Sequence, residues 1–257
     1  MAGIPYAEKK RTSYENIAAC CPWCGKESVF NRATDLKDVA PIAFRTVACR
    51  NPSCGKAFNI NGDSVNSAHE MLVFDCHELL EAKHYMSCVL TLAQAFEVFF
   101  GLFLRVRFLY RPFAIGDHRD IEYMNRLSEQ LARRVERHGF SHMRALFLTQ
   151  LVHGTPPANL TEAEAAIAAL PDLPGDPSDA ELDVLEDAHL ASLLKAVKGT
   201  TIGTLRNRVV HKHAYRPTLD EVEKALEEAR ALLFTLGAEL DLVDDINRYI
   251  QSARVKP

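Results

Sequence analysis

The stretch from Tyr85 to Leu104, YMSCVLTLAQAFEVFFGLFL, limits this chain more than any other feature. A run of about 20 apolar residues can cross a bilayer or form the central helix of a bundle. Gln94 and Glu97 sit in its middle. A carboxylate at the centre of a membrane helix costs about 2.5–3.5 kcal/mol even on the most lenient scale. In a bundle the same group needs only a partner or an edge. The expectation is therefore a buried core helix and no membrane span. The apolar spacing is helical from about Asp75 to Tyr110 and stops at Arg111-Pro112, where a residue without an N–H interrupts the ladder. That predicts one long helix.

Near the N-terminus, Cys21-Pro-Trp-Cys24-Gly and Cys49-Arg-Asn-Pro-Ser-Cys54-Gly form two tight turns, each closed by glycine. Two thiolates on one turn supply half of a tetrahedral shell, so the four cysteines Cys21, Cys24, Cys49 and Cys54 are the candidate ligands of a structural zinc. Cys20 could replace Cys21. Four thiolates leave no open position for chemistry. The chain has seven cysteines, an odd number that fits metal binding plus buried thiols better than a disulfide framework. Cys76 and Cys88 fall on the apolar helix and are not expected to bind metal. The runs SVF, IAFRTVA and AFNI and the Asn61-Gly62 dipeptide predict a small β module behind a polar leader of residues 1–20. It resembles the zinc ribbons attached to many nucleic-acid-processing proteins. Residues 1–64 carry nine Lys/Arg against six Asp/Glu, which is only mildly basic. Trp23, Phe44 and Phe58 could stack on bases, but so small a module needs aromatics for its own core. The first twenty residues hold no signal-peptide pattern, so the expected compartment is the cytoplasm.

Residues 65–257 read as helical. Helices are expected over Asp120–His138 and Ser141–Val152, with Gly139 as a C-terminal cap. Between Ala145 and Leu194 there is no Lys or Arg, residues 162–187 carry nine carboxylates, and positions 156–177 hold five prolines. An acidic, Pro-rich insertion near 154–178, mobile or solvated, is expected there. Helical pattern resumes from about Asp179. Thr218-Leu-Asp-Glu221 is a capping box opening a helix that runs to about Ser252. The fold class is thus mainly α, a helical bundle with a small N-terminal β module. His77 and His84 share a helix face with Glu81 but lack a third ligand. No HExxH, phosphate-cradling glycine loop or Gly-x-Ser-x-Gly elbow is present.

The chemistry concentrates in Thr204-Leu-Arg206-Asn207-Arg208-Val-Val-His211-Lys212-His213-Ala-Tyr215-Arg216. From 206 to 216 there are four Arg/Lys and two His with no acid, in a chain whose net charge is −4. Such a patch suits an anion. Asn207 and His211, four apart on a helix, share a face; Arg206 and His211 lie roughly 140° apart. Arg-Asn-x-x-x-His in this all-helical context resembles the Arg-x(4–6)-His motif of the HEPN family. The resemblance covers roughly residues 75–252. It implies a homodimeric helical bundle whose two motifs meet in a cleft and cut RNA without metal, in some members as a toxin or defence effector. By that resemblance His211 from each subunit exchanges the protons, Arg206 holds the phosphoryl oxygens, and Asn207 orients the motif. Glu97 would brace Arg206 through a salt bridge. A second register, Arg208 to His213, brings Tyr215 two residues beyond the histidine, the position modified in some HEPN toxins. Lys212 adds charge. Two other classes remain open: a non-catalytic nucleic-acid or nucleotide-binding module, and a scaffold subunit that docks an inhibitor or partner protein.

Overall fold

The computed structural model describes residues 15–39, 45–60, 67–116, 120–135, 137–212 and 215–254. His213, Phe44 and the Asn61-Gly62 turn lie outside them.

Two β-hairpins form the N-terminal module. Strand β1 (Asn16–Cys20) pairs antiparallel with β2 (Glu27–Asn31), and β3 (Arg45–Ala48) pairs with β4 (Ala57–Ile60). Strand β1 falls in the expected leader; its alternation is too short and too rich in Ala and Asn to stand out. Each hairpin turns through one cysteine pair. Ile17, Phe30, Leu36, Phe58 and Ile60 close a small core, with Phe30 edge-on to Phe58 at 6.2 Å. Trp23 is not part of it: the indole is 62% exposed. It stands on the turn between two sulfur donors, and that turn's inner side belongs to the cysteines.

The remainder is helical, and the expected single helix over 75–110 is divided. Helix α1 (Ala68–Glu81) reverses at Ala82–His84 into α2 (Tyr85–Arg105). Lys83 takes a left-handed φ of 58° at the corner, a geometry with no sequence signal outside glycine and asparagine. Helix α2 then passes through a π-helical turn (Val106–Tyr110) into α3 (Arg111–Ile115), so Pro112 does not end it. The π turn shifts the ladder where the proline ring would otherwise clash. Around α2 pack α1, α5 (Phe140–Val152), α9 (Ile202–His211) and α10 (Leu219–Glu239). The apolar run is thus the core helix, walled in by protein. Phe96, Phe99, Phe100, Phe103, Phe140 and Phe147 interlock there with ring centroids 4.9–6.1 Å apart.

Helix α4 (Ile121–Val135) precedes α5, and Gly139 is the N-cap of α5 rather than a C-cap. The acidic segment is docked, not loose. It contains α6 (Leu160–Ala168), capped by Asn159, whose Leu160, Ala163 and Ile167 are buried. Arg134 holds Asp172 at 3.0 Å, Arg144 holds Asp176, and the Tyr123 hydroxyl donates to Glu164 at 2.7 Å. The carboxylates find cations on α4 and α5, which residues 145–194 themselves lack. Helices α7 (Asp179–Asp183) and α8 (Ala188–Lys198) follow, α7 opened by a Ser178–Glu181 capping box. The expected Thr218–Glu221 box opens α10. The helix does not run to Ser252: it breaks at Leu240–Asp241, with Asp241 at φ 51°, before α11 (Leu242–Arg254). The β module seats on the bundle through Tyr249, which donates to the Val39 carbonyl at 2.6 Å, and through Arg105, 3.7 Å from Glu15.

One buried group carries a pH signature. His69 on α1 is 1% exposed, lies edge-on to Phe99 at 5.0 Å, and has no hydrogen-bond partner among the described residues on either ring nitrogen. Burial pushes its pKa from 6.5 down to about 4. The folded state therefore resists protonation. The stability His69 contributes is fully present above pH 6.5 and is lost as pH falls toward 4. At 1.36 kcal/mol per unit the loss is about 3 kcal/mol. Urea unfolding between pH 7 and 4 should show this slope in the parent and a shallower one in His69→Phe, which keeps the ring contact. Parallel profiles would refute the assignment.

Candidate functional site

The two cysteine turns are near copies. Cys21 N–H donates to Lys26 C=O at 2.9 Å, and Cys49 N–H to Lys56 C=O at 3.0 Å. Gly25 and Gly55 take φ of 67° and 58°, which is why glycine follows the second cysteine of each pair. The turns face each other so that Sγ of Cys21, Cys24, Cys49 and Cys54 all lie within 4.8 Å of one another. The Cys21–Cys54 separation is 3.9 Å and the Cys24–Cys49 separation 3.7 Å. The Lys26 N–H and the Asn51 side-chain amide hold Cys24 and bring its pKa down to about 6. Burial pushes Cys49 up to about 11. Four thiols this close cannot all ionise unaided, and a metal cation is what allows it. The four predicted cysteines form one site that could bind a metal ion. Cys76 and Cys88 are fully buried and pair with each other's carbonyls at 3.6 Å, away from it.

The second site is built on α9. Ile202, Leu205 and Val209 face inward and seat the helix on the core. Gly203 sits against Phe140, where an added Cβ would approach the ring within 2.8 Å. The opposite side carries the polar residues. Thr204, Asn207, Arg208, His211 and Lys212 line an open groove of about 410 Å³. Asn207, His211 and Lys212 are exposed.

Arg206 is not in that lining. It is half-buried and donates to Asn207 Oδ1 at 3.2 Å. Its charge reaches Glu97 without closing to the expected salt bridge. Glu97 instead accepts the backbone N–H of Phe140, an orphan donor at the start of α5. Burial raises the Glu97 pKa, the Arg206 charge and that hydrogen bond opposing it. A raised carboxylate disfavours the ionised form, so the stability Glu97 contributes is present below the unfolded value and is lost as pH climbs through the folded one. Glu97→Gln keeps an acceptor for Phe140 and removes the charge. It should melt above the parent at pH 7, with the gap closing below about pH 4. A lower melting temperature at pH 7 would show that the attraction to Arg206 dominates.

Arg208 and Tyr215, the second register, serve a joint. Arg208 stacks over the Tyr215 ring at 3.9 Å and binds Glu221 at 3.0 Å, and the Tyr215 hydroxyl donates to Glu221 at 2.6 Å. Glu221 also accepts Thr218 N–H in the capping box, and these donors bring its pKa down to about 2. The end of α9 is thereby tied to the start of α10. Within one chain, then, the structure brings Asn207, Arg208, His211 and Lys212 together in the groove lining and leaves Arg206 outside that lining, hydrogen-bonded to Asn207. The Glu221 clasp had no signal in sequence beyond the capping box itself. No family model matches the chain, no curated protein matches it, and no solved structure matches it.

Proposed function

We propose that this protein is a metal-independent endoribonuclease of HEPN type, acting as a cytoplasmic homodimer with a structural zinc in its N-terminal ribbon. The observation that carries this reading is the groove on α9. His211 and Asn207, one helical turn apart, face solvent there beside Lys212, with Arg208 at the edge paired to Glu221. Such a surface attracts a phosphodiester and places an imidazole beside it. The imidazole takes the proton from a ribose 2′-hydroxyl, and the 2′-oxygen attacks phosphorus. The 5′-oxygen leaves and takes up a proton, giving a 2′,3′-cyclic phosphate and a 5′-hydroxyl. The second imidazole comes from the partner subunit's copy of this groove. Val210, 47% exposed beside His211, is an apolar contact for that copy. A toxin or defence role follows from the HEPN resemblance.

Zinc suits the cysteine site because four sulfurs at about 2.3 Å from one tetrahedral ion stand about 3.8 Å apart, close to the 3.7 and 3.9 Å separations here. When bound, it ties the two hairpins together and has no open position for catalysis.

A second reading, a nucleotide-binding module without cleavage, is favoured by the engagement of Arg206 with Asn207 and with the Glu97 charge, which leaves it outside the groove lining. Incubating purified protein with RNA in excess EDTA separates the two. Fragments ending in cyclic phosphate support the nuclease; binding without fragments supports the module.

A further inference from the structure

Trp23 is the only tryptophan in the chain and is 62% exposed, an unusual position for the largest side chain of a small module. It is also held in place. The indole N–H donates to the Ala57 carbonyl at 3.0 Å, across from the neighbouring hairpin, and the Lys56 ammonium lies 4.9 Å from the ring centroid. With its one polar atom satisfied and its orientation fixed from the second hairpin, the indole presents a rigid apolar face. Holding it costs no further side-chain entropy on binding.

The surroundings are cationic. Lys26 and Lys56 occupy equivalent positions after Gly25 and Gly55, both are exposed, and neither forms an ion pair with a described residue. Arg45 and Arg50, by contrast, are paired with Asp38 and Asp35. A fixed aromatic plate with the Lys56 ammonium against it, and Lys26 on the same cysteine turn, matches a chain of stacked bases joined by phosphates.

We propose that the face built by Trp23 and Lys56 is a single-stranded RNA-binding surface, in which Trp23 stacks on a base and Lys56, with Lys26 from the same turn as Trp23, contacts the phosphates. The choice of RNA rests on the nuclease reading; the stacking chemistry does not.

Because Trp23 is the sole tryptophan, its own emission reports the event. In the His211→Ala protein, which leaves the RNA intact, a decamer of uridine or adenosine should quench the fluorescence saturably. The same backbone without bases, and inorganic polyphosphate, should not. With labelled RNA, Trp23→Ala should weaken binding about 5- to 150-fold, the range for losing one stacked base, while Trp23→Phe recovers most of it. Metal content and circular dichroism check that each variant is folded. Absence of quenching by any oligonucleotide, or parental affinity in Trp23→Ala, overturns the proposal and leaves the face to a protein partner. Quenching by the base-free backbone equal to that by RNA overturns the stacking. None of these outcomes depends on whether the parent cuts RNA, so the two readings fail separately.

Discussion

His211→Ala should lower the rate of RNA cleavage by about 10²- to 10⁴-fold, the usual contribution of a positioned acid–base group. The fold should not change, because His211 is exposed at the last turn of α9 and helix seating rests on Ile202, Leu205 and Val209. Arg206→Lys should also be severely impaired if the guanidinium binds phosphate, since an ammonium cannot make two parallel hydrogen bonds. A substrate with one deoxyribose at the mapped cut site should resist cleavage there, for want of the attacking hydroxyl. Mixing inactive His211→Ala subunits with parental ones tests the dimer: each mixed dimer holds one imidazole, so specific activity should fall below the parental fraction. His211→Ala cutting at the parental rate, or a requirement for added magnesium, would remove this mechanism.

Loss of one metal ligand should have the largest structural effect. Elemental analysis of the parent should find one equivalent of zinc per chain, and Cys49→Ser should lose it. Residues 16–60 should then open to amide hydrogen exchange while the bundle keeps its helical circular dichroism. Structural zinc in small domains contributes about 10–16 kcal/mol of apparent binding energy at neutral pH. Among the described residues, the core it reinforces is Ile17, Phe30, Leu36, Phe58 and Ile60 with the cysteines. That core cannot replace the metal. Helices α1 to α11 have their own extensive core around α2 and do not need it. Cys76→Ser serves as the control and should retain full zinc. Unchanged metal content and exchange in Cys49→Ser would defeat the assignment.

What could be read from the chain alone was local. The cysteine spacing with its closing glycines foretold the four-sulfur site, because ligand and turn lie within a few residues of each other. The Thr218–Glu221 capping box and strand β4 were legible for the same reason. The role of Tyr85–Leu104 as a core helix followed from one carboxylate in an apolar run. Helix breaks at Lys83 and Asp241 were not legible: each needs one residue at positive φ, a strain of about 1 kcal/mol that long-range packing sustains. Periodicity likewise says which residues share a face but not what that face meets. It placed Asn207 and His211 together; only the packing of α9 against α2 brought the Arg206 charge within reach of Glu97 without an ion pair, and only the approach of α10 committed Arg208 to Glu221. The acidic segment looked solvated because its cationic partners, Arg134 and Arg144, belong to other helices. Trp23 looked like core because composition asks for buried aromatics, whereas the convergence of two hairpins on the cysteines filled the inside with sulfur and left the indole outside. Sequence determined the elements and the donor set, since those depend on neighbours along the chain; tertiary structure determined which charges are paired and which faces are open, since those depend on neighbours in space.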